Sequence, residues 1–235
     1  MNSNKCSPVK FKILVPVSVL ATVILISCNE KGGKNIDEGE IHYGIDYIKS
    51  TGTLSEDFKP QTLVVSFKKD KILFEILSPI GGQGIVNIVN PDENIYDTYI
   101  SIVPVRYYYE GAKGETHPGF ESMAGLKLRK TDQEKVISGY DCHNAKVVFP
   151  GDSIEYDIWY TNQINVKNTN ESTPYEEIDG VLMSFYFLFG SSLMHFEAES
   201  VYTKTVPDDS FERKPKYKLV SREYMGEIIS RMVNL

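Results

Sequence analysis

Cysteine is scarce in this chain, three in 235 residues. Cys6 and Cys28 fall near the N-terminus and Cys142 stands alone, so no disulfide framework and no zinc ribbon can be drawn. The four histidines, His42, His117, His143 and His195, show no metal-type spacing, and His-Glu-x-x-His is absent. No metal site and no cofactor are therefore expected. Basic excess is also missing: the formal charge is −7, and a surface of that sign repels nucleic acid. Nor is there an apolar run of the ~20 residues that a membrane-crossing helix needs. The longest run, 13–26, has 14 residues and contains Pro16 and Ser18.

That run is informative by its position. Lys5, Lys10 and Lys12 precede it without any acidic residue, the layout of a secretory signal. It ends in Leu25-Ile26-Ser27-Cys28, which resembles the bacterial lipobox. The resemblance implies cleavage before Cys28 and acylation of its thiol. Each buried methylene adds ~0.8 kcal/mol, so two or three chains anchor a protein that one chain holds only marginally. We therefore expect residues 1–27 to be a removed signal peptide, 28–39 an acylated cysteine with a flexible tether, and 40–235 one β-rich domain. The address is a Gram-negative cell envelope, with the outer membrane as the expected anchor.

Strands dominate the body. Ile41, Tyr43, Ile45 and Tyr47 alternate with polar or small residues, the period-two pattern of a half-buried strand. Lys69-Asp70, Pro91-Asp92-Glu93-Asn94 and Pro150-Gly151-Asp152-Ser153 punctuate three hairpins. Residues 181–189 (VLMSFYFLF) are apolar on both alternating faces except at Ser184, as in a strand with core on one side and core or an apolar cavity on the other. Tyr224, Ile228 and Met232 recur at helical spacing after Ser221, a candidate N-cap. Residues 106–122, with Tyr107, Tyr108 and Tyr109 among glycines, suit a long adhesive surface loop.

A family resemblance sits in the middle of the chain. Val136-Ile137-Ser138-Gly139-Tyr140-Asp141-Cys142, Ala145-Lys146-Val147 and Ile158-Trp159-Tyr160-Thr161 resemble the GLPGLI-type lipoproteins and exported proteins of Bacteroidetes-type bacteria. There an isoleucine-x-Gly-Tyr-x-Cys-x-x-Ala stretch precedes a Trp-Tyr-Thr strand and the loop that names the family. Here Ile178-Asp179-Gly180-Val181-Leu182-Met183 takes that loop's place, so the chain is closer to a sister family of uncharacterised lipoproteins. The resemblance implies a mainly β fold, a strongly curved antiparallel sheet like the LolA/LolB half-barrel, with a C-terminal helix. It brings no catalytic residues.

Individual candidates for chemistry give little. Gly81-Gly82-Gln83-Gly84 lacks a following lysine and helix, so it reads as a sheet turn, not a phosphate cradle. Cys142 has no neighbouring cation in sequence to activate it. Asp152, Glu155 and Asp157 read as a turn and a solvated strand face, though Asp152-Ser153-Ile154 also resembles a short O-glycosylation signal. Trp159, the single tryptophan, is expected to be covered. Nucleophile, base and oxyanion groups are not visible as a set, so no enzyme is expected. The sequence favours an envelope protein binding an apolar ligand or lipidated partner, with Met183, Phe185 and Phe187 as liners. The alternative is a protein or glycan interaction module working through Tyr107, Tyr108 and Tyr109.

Overall fold

Alternation of apolar and polar residues, interrupted by short turns, leaves most of this chain one low-energy arrangement: antiparallel strands laid side by side. The computed structural model describes residues 35–50, 59–77, 83–102 and 104–233. The leader, Cys28 and the Gly81-Gly82 pair lie outside them.

The strands are β1 (Glu38–Lys49), β2 (Thr62–Lys68), β3 (Lys71–Leu77), β4 (Gln83–Asn90), β5 (Ile95–Ile102), β6 (Val105–Tyr109), β7 (Lys127–Ile137), β8 (Tyr140–Val148), β9 (Tyr156–Thr161), β10 (Val181–Phe189), β11 (Ser192–Thr203) and β12 (Lys218–Leu219). They form a single sheet in the order β12-β6-β5-β4-β3-β2-β1-β11-β10-β9-β8-β7. Two meanders, β1 to β6 and β7 to β11, meet where β1 pairs with β11. The result is a large curved open sheet, not closed into a barrel.

Register places the apolar side chains in rows across the strands. Ala198, Tyr43, Leu63, Ile76, Ile85 and Ile100 are successive neighbours from β11 to β5, on what we call the inner face. The next row runs Val201, Ile41, Val65, Phe74 and then turns polar at Asn87 and Thr98. The outer face of β3 to β5 carries a second, smaller core of Leu73, Val86, Ile88 and Tyr99. Val206 and Phe211, after β11, cover it.

The inner face is covered by the chain itself. One strap, residues 110–126, lays Phe120 against Phe187 and Phe189, with ring centroids 4.5 and 5.1 Å apart. The helix α1 (Arg222–Val233) packs beside it through Met225, Ile228 and Ile229. Ser221 caps this helix, its Oγ accepting the Tyr224 N–H at 3.3 Å. The second strap, residues 162–180, buries Tyr175 and Ile178. Each aromatic pair of this kind adds ~0.5–1.5 kcal/mol beyond area burial.

Two expectations are corrected. The tether does not extend to residue 39, because the Asn35 N–H donates to the Gln163 carbonyl at 2.6 Å, Ile36 bridges Ile164, and β1 has begun by Glu38. Residues 106–122 are not one surface loop. Tyr107, Tyr108 and Tyr109 belong to β6, and the strap after them buries His117, Phe120 and Met123. The tyrosines' β-propensity outweighed the turn signal of the glycines that follow.

Candidate functional site

The doubly apolar strand β10 is the centre of the site. Phe185, Phe187 and Phe189 project to the inner face, where Phe185 stacks on Phe196 at 5.1 Å and Phe187 meets Phe74 at 6.0 Å. A β-bulge between Leu182 and Ser184 inserts Met183 without a partner on β9. Of the three expected liners, Phe185 and Phe187 border an apolar cavity and Met183 does not border it. All three are buried.

The cavity measures about 60 Å³. Its floor comes from Tyr43, Phe74, Phe185 and Phe187, and its roof from Val166, Thr169, Asn170 and Thr173 of the second strap. Ligand pockets usually enclose ~300–1,000 Å³, so the closed form holds only a small apolar group. A larger ligand requires the strap to lift. That strap braces itself: Asn170 Nδ2 donates to the carbonyls of Ile178 and Gly180 at 2.8 and 2.9 Å. Its links to the rest of the fold include the Tyr175 hydroxyl on the Tyr186 carbonyl and the His117 N–H on the Ser172 carbonyl.

Beside the cavity lies a polar patch that continues the Phe74 row. His117 Nδ1 lies 3.1 Å from Thr98 Oγ1, and burial pushes its imidazole down to about 3, so it is neutral at ordinary pH. Asn87 Oδ1, Glu171 Oε2 and Ser172 Oγ are buried without a hydrogen-bond partner among the described residues.

The three tyrosines do not form one surface. Strand alternation sends Tyr107 and Tyr109 to the inner face, where Tyr107 packs edge-on against Tyr224 and the Tyr109 hydroxyl donates to Glu115 at 2.7 Å. Tyr108 points outward and stacks on Tyr99 at 5.6 Å. Cys142 is fully buried, its thiol pushed up to about 11 by that burial. Glu155 pairs with Arg129, and Asp157 pairs separately with Lys146. Among the described residues no group of acidic, histidine or cysteine side chains is placed to hold a metal. Trp159 is half-buried, with Lys135 Nζ 4.8 Å from its ring centre.

One constellation was missed by sequence reasoning. On the face of β10 opposite the phenylalanines, Ser184 Oγ lies 2.8 Å from His195 Nε2, and His195 Nδ1 lies 3.7 Å from Asp46 Oδ2. The three residues are distant in sequence, and only the β1–β11–β10 pairing brings them together. Their single sequence signal was Ser184, the lone polar residue in an otherwise apolar strand.

No protein-family model matches the sequence, and no curated protein matches it. Among solved structures, PNGF-II in space group C2 superposes with a TM-score of 0.52 at 17% identity, over 83% of this chain and 33% of that one. The same protein in space group P21 gives 0.48 at 17%, over 84% and 33%. LprF from Mycobacterium bovis gives 0.25 at 10% identity, over 76% of this chain and 90% of that one. The first likeness is one of fold alone, and this chain spans about a third of the length of PNGF-II. Among the described residues no helix is long and apolar enough to cross a membrane.

Proposed function

We propose that the chain is a lipid-anchored cell-envelope protein, tethered through acylated Cys28, that binds an apolar ligand or the acyl chain of a lipidated partner under the 162–180 strap. At this site it acts as a binder and not as a catalyst. The supporting observation is the cavity between Phe74, Phe185, Phe187 and that strap, whose floor is largely aromatic and whose roof includes Thr169, Asn170 and Thr173. The neighbouring acceptors Asn87 Oδ1 and Glu171 Oε2 would receive a hydroxyl or amine at the ligand's polar end. Kinship with the GLPGLI-type lipoproteins, a LolA/LolB-like carrier role and the outer-membrane address belong to the same proposal. They draw support from the lipobox, the curved open sheet and the tail helix.

The test is native mass spectrometry of the protein purified from membranes, with binding of a fluorescent apolar probe after delipidation. Bound lipid, and probe binding weakened by Val166→Phe, which projects a ring into the cavity, are expected. No lipid and no probe binding to the folded protein would remove this function.

A further inference from the structure

The outer face of β10 carries an arrangement with a chemistry of its own. Two cross-strand rows lie side by side there. In one, Asp46 of β1, His195 of β11 and Tyr186 of β10 are neighbours; in the next, Glu197 of β11, Ser184 of β10 and Trp159 of β9. His195 reaches diagonally between the rows to hydrogen-bond Ser184. Asp46, with its side chain 80% exposed, faces the other ring nitrogen. Lys135 completes the group, its Nζ lying over the Trp159 ring and 3.8 Å from Glu197, so it sits above the row that holds Ser184.

We propose that Ser184, His195 and Asp46 form a nucleophilic relay that cleaves esters of small acyl groups. The roles follow from position. Burial lowers the His195 pKa, so at neutral pH the ring is uncharged and its Nε2 can accept the serine proton. Asp46 acts as a positioning residue; its Oδ2 stands 3.7 Å from Nδ1 of the neutral ring and closes on it as charge develops on the imidazole. Lys135 is the available cation for the oxyanion.

The step balances. Ser184 Oγ attacks the carbonyl carbon while its proton passes to Nε2. The tetrahedral intermediate collapses, the alkoxide leaves with that proton, and water then cleaves the acyl-serine to the acid and free serine. Ser184 is only 2% exposed, yet the groups beside and above it include the ends of Lys135 and Glu197, 38% and 51% exposed. Access to Ser184 requires these ends to swing aside, a picosecond-to-nanosecond motion for exposed side chains that leaves the sheet in place. Trp159 and Glu197 flank the serine two strand spacings apart, roughly 9–10 Å, which limits the acyl group to a small one.

The experiment is labelling of the full-length protein with a fluorophosphonate, which loses fluoride to a nucleophilic serine, followed by peptide mass spectrometry. One label per chain at Ser184 is expected, with none in Ser184→Ala and a rate lowered at least ~100-fold in His195→Asn. In Asp46→Asn the acid limb of the pH–rate profile should move to lower pH, because Asp46 raises the His195 pKa. An excess of the apolar probe should leave the labelling rate unchanged, which separates this relay from the cavity on the opposite face. Protein with native circular dichroism whose Ser184 stays unlabelled, or labels equally fast in His195→Asn, would overturn the relay and leave it a structural hydrogen bond.

Discussion

The phenolic hydroxyl of Tyr175 donates to the main-chain carbonyl of Tyr186, pinning the 162–180 strap to β10. Tyr175 is fully buried, and its ring meets both Phe185 and Phe187, at 6.4 and 5.9 Å. The residue that pins the strap to β10 thus touches the cavity's own floor.

Tyr175→Phe keeps the ring and removes the hydroxyl. Stability should fall by about 1–2 kcal/mol, since one buried hydrogen bond is lost and a carbonyl loses its acceptor role. Hydrogen exchange should quicken first at the Thr173 and Ile178 amides, which bond within the strap to Asn170 and Tyr175. Uniform quickening across the sheet would show that the strap does not open separately.

Gly119 joins the first strap, β10 and the helix. Its φ is +101°, and a Cβ there would lie 2.9 Å from Ile229 Cγ2 and 3.3 Å from Phe189. Gly119→Ala should cost about 2–5 kcal/mol, combining backbone strain with overpacking. Gly125→Ala, at φ +87° with open space around the new Cβ, should cost only the strain, about 1–2 kcal/mol. Urea midpoints of the two variants give the comparison.

Asp97 is buried on the outer face, accepting from the Tyr99 hydroxyl at 2.8 Å and from Arg213 Nε at 3.1 Å. Burial raises its pKa above the ordinary value despite these donors, and Glu110 adds to the rise. Between the ordinary and the raised pKa the folded state holds more protons than the unfolded one. Stability from this group is therefore full below the ordinary value and declines as pH climbs through the folded value. Asp97→Asn removes the dependence, so wild type should lose ground to the variant as pH rises above the ordinary aspartate value in paired urea titrations.

Cys28→Ser should abolish metabolic labelling with an alkynyl fatty acid and release the protein from sedimenting membranes. Wild-type protein that takes up no label would leave the anchor without support.

Much of the sheet was legible because its determinants are local. The turns at Lys69-Asp70, Pro91–Glu93 and Pro150-Gly151 lie between strands as expected, and Ile41, Tyr43 and Ile45 bury the face their alternation marks. The helix starts where Ser221 indicated. Less legible was β7, whose run of charged residues hides an edge strand beside β8, and such charge is how edges resist further pairing. Neither site could be read from neighbours in sequence. Tyr43 and Phe185 meet across the fold, as do Asp46 and His195.

By itself the sequence determined the strand order of each hairpin and the apolar character of β10, since each rests on residues within a few positions of one another. Only the tertiary structure decided what covers the inner face. Two straps and a helix, drawn from distant segments, fill most of it, because burying Phe120, Tyr175 and Ile229 against the phenylalanines of β10 removes more apolar surface from water than an open bowl would. What remains is a cavity on one face of that strand and a serine–histidine pair on the other.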